Sequence, residues 1–239
     1  MVYIKKQYNV EYSIAGLTDW LHRQGFTYKK PKGLPAKADT ERQKAFIDYY
    51  KKLEESLPPT QGLVFIDSAH PTQATKLSYG WIKKGVSKAV KTSASRTRVN
   101  ITGAVDIQTK QVYARCYDSI NASSMISFLN DLQRQACYSA KEKIHVILDG
   151  AGYHRSKELA EWIAKNPRYQ LHFLPPYSPN LNPIERLWKI MNEHMRNNRY
   201  FTTAKEFRDA ISYFFEHKIL ELHEVLQKRI TSNFQVLQI

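Results

Sequence analysis

The chain has 239 residues, 42% of them hydrophobic, enough to bury one sizeable core with a small second unit beside it. Thirty-six lysines and arginines stand against 22 acids, a formal charge of +14, which makes a polyanion, nucleic acid first, the natural partner. No run approaches the ~18 apolar residues of a membrane helix, the N-terminus has no signal-peptide pattern, and Cys116 and Cys137 have neither zinc nor redox spacing, so a reducing cytoplasm and no membrane association are expected.

In chain order, residues 1–32 read as a small DNA-binding unit. A helix over Val2–Tyr8 is followed by a turn. Ser13 then caps a second helix reaching about Gln24, with Ile14, Leu17, Trp20 and Leu21 on one face and Gly25 as its left-handed stop. "FTYKK" (Phe26–Lys30) alternates like the strand of a wing, and Lys29, Lys30 and Lys32 at its tip suit phosphate contacts. Residues 33–58 read as a linker and a helix from about Thr40 to Ser56, ended by Pro58 and Pro59.

From residue 59 to 239 the pattern is α/β. "LVFIDS" (Leu63–Ser68) and "IHVILDG" (Ile144–Gly150) are continuous apolar runs, as in strands buried on both faces. Between them lie two strands, "RVNITGAVDI" (Arg98–Ile107) and "QVYARCY" (Gln111–Tyr117), and a helix over about Ala122–Ala136. A helix over Arg155–Ala164, the strand "YQLHFL" (Tyr169–Leu174) and a helix opened by "LPPYSPNLNPIERLWKIM" (Leu174–Met191) follow, then helices near Thr203–His217 and Leu220–Lys228. Three strands in a meander followed by crossover units predict a ribonuclease-H-like mixed sheet with flanking helices, in which the first and fourth strands are parallel neighbours.

That arrangement brings Asp67 and Asp149 together at the C-terminal edge of the sheet, where open α/β sheets place ligands. Two such anions call for compensation by a raised pKa, a basic side chain or divalent cations, although each aspartate alone also fits a turn cap. Glu185 has two readings. With Asn182 as N-cap and Pro183 at the first helical position, it fits a capping box. Ile184, Leu187, Trp188, Met191 and Met195 form the buried stripe of the same helix, and Glu185 lies on its border, facing the seam with the sheet. Three carboxylates on separate elements suffice for two hard cations such as Mg²⁺ or Mn²⁺, which serve phosphodiester chemistry.

"FIDSAHPTQATKLSYGWIKKG", "HVILDGAGYHRSKEL" and "FLPPYSPNLNPIERLWK", in that order, resemble the DDE transposases of bacterial insertion sequences in the Tc/mariner superfamily, and "YSIAGLTDWLHRQGFTYKKP" resembles their winged helix–turn–helix. Asp67, Asp149 and Glu185 fall on the family's three metal-binding acids, with thirty-five residues between the last two. The resemblance implies binding to the inverted repeats at an element's ends, metal-dependent hydrolysis there, and attack of the freed 3′-hydroxyl on target DNA, usually at TA, by a homodimer on double-stranded DNA. Family members usually carry a further helix–turn–helix at the N-terminus, so this chain is expected to be the downstream part of a split frame or a truncated element. Another ribonuclease-H-like nuclease, or an inactive DNA-binding regulator, remain the alternatives.

Residues 68–98 hold no acid and seven bases: Lys76, Lys83, Lys84, Lys88, Lys91, Arg96 and Arg98. They read as a basic hairpin that grips phosphates, with Trp81 stacking on DNA or packing in the core. His70, His154 and Arg155 are accessory candidates, near the scissile phosphate or serving only local backbone groups.

Overall fold

A computed structural model describes residues 2–29 and 35–236. The chain divides into two compact units, Met1–Pro35 and Ala36–Ile239. In the first, α1 (Val2–Tyr8) and α2 (Ile14–Arg23) stand where expected. The Ser13 hydroxyl accepts from Gly16 N–H at 3.0 Å, and Gly25 ends α2 at φ 79°. Of the expected wing strand, residues 26–29 have no strand structure, while Lys30 and Lys32 lie outside the described residues. Alternation alone does not make a strand; its backbone groups need a partner ladder, and among the described residues of this unit there is none. Neither helix buries a residue within the described unit, and Ile14 and Trp20 stay exposed.

The second unit opens with α3 (Thr40–Glu55), capped by Asp39, whose carboxylate accepts from Arg42 N–H at 3.0 Å. Expected in the connecting segment, α3 instead sinks Phe46 and Tyr50 into this unit's core. The strands follow as β1 (Gln61–Ala69), β2 (Asn100–Val105) and β3 (Val112–Tyr117). The expected single helix after β3 is two, α4 (Ala122–Leu132) and α5 (Ala136–Ser139), separated where Gln133 ends the first. Next come β4 (Lys143–Leu148), α6 (Lys157–Lys165), β5 (Tyr169–Phe173), α7 (Ile184–Met195), α8 (Ala204–Glu216) and α9 (His223–Arg229).

Among the described residues, five strands form one sheet in the order β3-β2-β1-β4-β5. β1 pairs antiparallel with β2 and parallel with β4, and β5 runs parallel to β4, so the sheet is mixed as expected. Side chains alternate between its faces. Val64 and Ile66 pack with Phe128, Leu132 and Leu159 of α4 and α6, while Leu63, Phe65 and Ile147 pack with α3, α7, α8 and α9. By the same parity Asp67 and Asp149 project to the face that α7 covers.

The start of α7 departs from expectation. The helix begins at Ile184, with Pro183 ahead of it at φ −66°. Asn182 makes no side-chain cap; its backbone carbonyl accepts from Glu185 N–H at 3.2 Å, and its Oδ1 is buried without a partner. The residue before a proline is driven to extended backbone, and Asn182 obeys at ψ 101°. No capping box therefore holds Glu185. The buried stripe is the expected one with Ile190 added.

Candidate active site

Asp67, Asp149 and Glu185 line one cavity of about 400 Å³. Phe65 of β1 pairs in register with Ile147 of β4. Asp67 and Asp149 each lie two residues further on, at the same level of two parallel neighbours. Glu185 comes from the first turn of α7, and Leu174–Pro179 forms a wall. Within that wall Tyr177 holds φ 56°, the left-handed region that bulky side chains avoid.

The two strand-end aspartates have different surroundings. Asp67 is the deeper; its Oδ2 accepts from the Trp188 indole N–H at 2.9 Å. Burial above all, with the charges of Glu185 and Asp149, raises its pKa to about 6 against the lowering effect of the indole bond. Asp149 is about half exposed, and bonds from His154 and from Ala151 N–H lower its pKa. His154 Nδ1 faces both Oδ1 (2.8 Å) and the backbone oxygen (3.1 Å) of Asp149, two acceptors, so this nitrogen carries the hydrogen. Glu185 accepts no hydrogen bond among the described residues, and burial, then the charge of Asp149, raises its pKa.

Arg155 also lines the cavity, its guanidinium stacked 5.4 Å from the Phe173 ring centre. Gly150 leaves it room: a Cβ there would stand 2.9 Å from an Arg155 nitrogen. Three carboxylates against one guanidinium leave the cavity net negative, with two of the acids pushed toward protonation. That deficit, and an all-oxygen donor set, fit hard divalent cations. Among the described residues no three His, Cys, Asp or Glu side chains are already gathered to hold one ion. Asp67 and Asp149 are each held by a hydrogen bond, so gathering the set around a cation would fall chiefly to Glu185, whose carboxylate accepts none among the described residues.

The remaining candidates separate. His70 lies outside the cavity wall, its Nδ1 2.8 Å from Asn100 Oδ1. His154 is buried behind Asp149 rather than facing the cavity; its Nε2 has no partner. Residues 71–99 leave the end of β1 as an arm whose root is closed by Val99 N–H to Pro71 O (3.0 Å) and Gln73 N–H to Thr97 O (2.8 Å), with a turn at Lys83–Val86. Lys83, Lys84, Lys88, Lys91, Arg96 and Arg98 are exposed, as is Lys29 in the first unit. Trp81 and Tyr79 are fully exposed, so Trp81 is not a core residue. Arg98 shares a separate cleft with Arg115 and Arg208. Sequence reasoning placed Trp188 only in the core stripe; the available signal was its position three residues after Glu185, on one helix face.

A family model described as "DDE superfamily endonuclease" matches residues 62–208, more than half of the chain, and the chain belongs to that family. A second model, "Winged helix-turn helix", matches residues 1–50. The uncharacterized 39 kDa protein of insertion element IS630 from Shigella sonnei is 23% identical over 197 residues, 82% of this chain and 57% of that protein. The uncharacterized protein y4pE/y4sA from Sinorhizobium fredii is 39% identical over 69 residues, 28% of this chain and 45% of that one. The chain thus spans less than two thirds of each relative. Among solved structures, the Mos1 strand transfer complex matches with a TM-score of 0.67 at 17% identity, over 98% of this chain and 73% of that one. The catalytic domain of Mos1 mariner transposase matches at 0.57 and 15%, over 88% and 100%. At such identities the likeness is one of fold, and the fold is the ribonuclease-H-like mixed sheet.

Proposed function

We propose that this chain is the DDE transposase of an insertion sequence of the Tc/mariner superfamily, cutting DNA at element ends and joining the freed 3′-ends to target DNA. The observation that carries the reading is the single cavity lined by Asp67, Asp149 and Glu185 in a chain of the DDE endonuclease family. These three carboxylates would hold Mg²⁺ or Mn²⁺, two ions for in-line chemistry; Mos1 paired-end complexes are described with Mn and with Mg. Bound there, such ions supply an activated hydroxyl and a stabilised leaving oxygen.

The chain's own groups do the rest. Asp67 and Asp149 share one level of the sheet, so the cations would sit across neighbouring strands. Glu185 closes the third side from a helix packed on that sheet. Arg155 is placed to take a non-bridging phosphate oxygen, and Leu174–Pro179 forms a firm wall against the substrate. Lys83, Lys84, Lys88, Lys91, Arg96 and Arg98, with Lys29 and Lys30 of the first unit, would hold the DNA backbone, and Trp81 would stack on it. Pairing of two ends implies a homodimer on double-stranded DNA, in the cytoplasm. No helix among the described residues is long and apolar enough to cross a membrane.

Labelled element-end DNA incubated with the protein and Mg²⁺, beside Asp149→Ala, tests the reading. Strand joining by the unaltered protein alone is expected. Nicking without joining would point to a nuclease of the same fold, and binding without cutting to a regulator.

A further inference from the structure

We propose that Trp188 is a positioning residue of the metal site: its indole N–H fixes the Asp67 carboxylate, and Gly103 exists to seat it. Trp188 is 5% exposed, yet its one polar atom is spent on Asp67 Oδ2 at 2.9 Å rather than on a backbone carbonyl. The ring stands edge-on to Phe215, with centroids 6.2 Å apart at 78°, so it has little freedom to turn. Beneath it lies Gly103, the residue paired with Asp67 across β1 and β2. A Cβ at Gly103 would come within 2.5 Å of Trp188 Cη2. This glycine has no positive φ to explain it. What it provides is a slot in the sheet, next to Asp67, as deep as an indole ring.

The consequence is geometric. The indole N–H on Oδ2, with a second bond from the Ser68 backbone, holds the carboxylate plane at the cavity that Asp67 lines. Trp188 lies three residues after Glu185, so the same face of α7 contributes one acid directly and orients another. Asp149 is held separately by His154. Acids fixed before a cation arrives spend less of its binding free energy on ordering side chains.

The inference rests on the proposed metal-dependent reading, and the test keeps the two apart. In the full chain, Trp188 is replaced by benzothienylalanine, which keeps the ring shape but puts sulfur where the N–H was, and by Phe. Mn²⁺ affinity is measured by calorimetry for these, for Asp67→Asn and for the unaltered protein. Asp67→Asn should abolish binding at one site; if it does not, the metal reading fails. The benzothienyl protein should bind Mn²⁺ about tenfold more weakly, the scale of removing a hydrogen bond that orients a metal ligand, at unchanged melting temperature and unchanged DNA binding without metal. In the Asp67→Asn background the same replacement should change nothing further. An unaltered Mn²⁺ affinity in the folded benzothienyl protein, with Asp67→Asn impaired, overturns the role of Trp188. A second readout needs no folded Trp188 variant. Of the four tryptophans, one ¹⁵N-indole resonance should move in Asp67→Asn without metal, and the same one on titrating Mg²⁺ into the unaltered protein. Four unmoved resonances in Asp67→Asn would equally overturn the inference.

Discussion

Under the proposed function, the cavity and the arm would handle one polyanion in opposite ways. Around the cavity, each of these side chains is positioned by a specific partner, near or far in sequence: Asp67 by Trp188, Asp149 by His154, Arg155 by the Phe173 ring and the space above Gly150. On the arm, the cations from Lys83 to Arg98 and the rings of Tyr79 and Trp81 are exposed, and it is the backbone that is tied down, at the root and again where Asn198 bonds Lys76 and Ser78. Chemistry at a phosphorus needs groups held to fractions of an ångström, whereas attraction to a phosphate backbone needs only charge that can reach it. The difference predicts that changes in the cavity alter turnover with binding intact, and changes on the arm alter binding with the cavity intact.

The largest effect should come from the acids. Glu185→Gln and Asp149→Ala are expected to lower strand cleavage by about 10³-fold or more, the scale of removing a charge-stabilising group from a reaction centre. Because Glu185 accepts no hydrogen bond, Glu185→Gln should keep its melting temperature and its affinity for DNA in EDTA. Normal cleavage by that variant would remove Glu185 from the chemistry. A smaller loss, about 10- to 100-fold in kcat at constant KM, is expected for His154→Ala, since His154 orients Asp149 without facing the substrate. An equal fall in DNA affinity would instead mark His154 as a substrate contact.

A third test concerns the sheet away from the cavity, where Gln61 and His145 open the strands that lead to Asp67 and Asp149. Tyr49 O–H, His172, His145 and Gln61 Oε1 form a chain with links of 2.6, 2.9 and 2.7 Å. With both histidines neutral, each link has one donor and one acceptor; a proton added to the chain can still be accommodated if the Tyr49 hydroxyl turns to accept, so it is the burial of charge that opposes protonation. Burial lowers both pKa values, that of His172 to about 4. The unfolded chain, with histidines near 6.5, therefore takes up protons first as the pH falls. The stability these two histidines contribute is fully present above about pH 7 and should be lost progressively as the pH falls toward 4. Urea midpoints from pH 7 to 5.5 should drop in the native chain and stay flatter in His145→Phe/His172→Phe; parallel slopes would rule out the pair as the cause. The smallest effect belongs to the arm. Lys83→Ala/Lys84→Ala should reduce the slope of log affinity against log salt by about one for each phosphate that a lysine no longer neutralises, with stability unchanged within about 0.5 kcal/mol and the metal dependence of cleavage unmoved. An unchanged slope would take both lysines out of the interface.

Much of this arrangement was legible in the chain. Apolar runs ending in aspartate, the second interrupted only by His145, announced β1 and β4, because a strand covered on both faces has no polar alternation to show. The stripe of α7 turned Glu185 toward the sheet by period alone. What stayed hidden depends on pairing across long separations. That Gly103 stands opposite Asp67 follows from the register of β1 with β2, and only then does the indole of Trp188 have a place. His154 was visible as a neighbour of Asp149 but not as its donor, since the turn at Gly152–Arg155 decides which way the ring faces. The wing strand and the Asn182 cap failed for a common reason. Both are local patterns that need a free backbone partner: residues 26–29 have no ladder among the described residues, and the Glu185 N–H that a cap would take is already bound by the backbone carbonyl of Asn182.

The charge of the cavity sets a rule for the order of assembly. A chain of formal charge +14 carries, at the edge of its sheet, a pocket with three carboxylates against one guanidinium. If the proposed chemistry holds, DNA cannot settle against Asp67, Asp149 and Glu185 until cations neutralise them, and cations gain a further set of oxygen ligands once DNA is there. Thermodynamic linkage makes this help symmetrical: whatever factor the ions add to the affinity for a cleavable end, that end must add to the affinity for the ions. A substrate whose scissile phosphate is out of reach would leave the metal weakly held, so the site would arm itself only over the right bond.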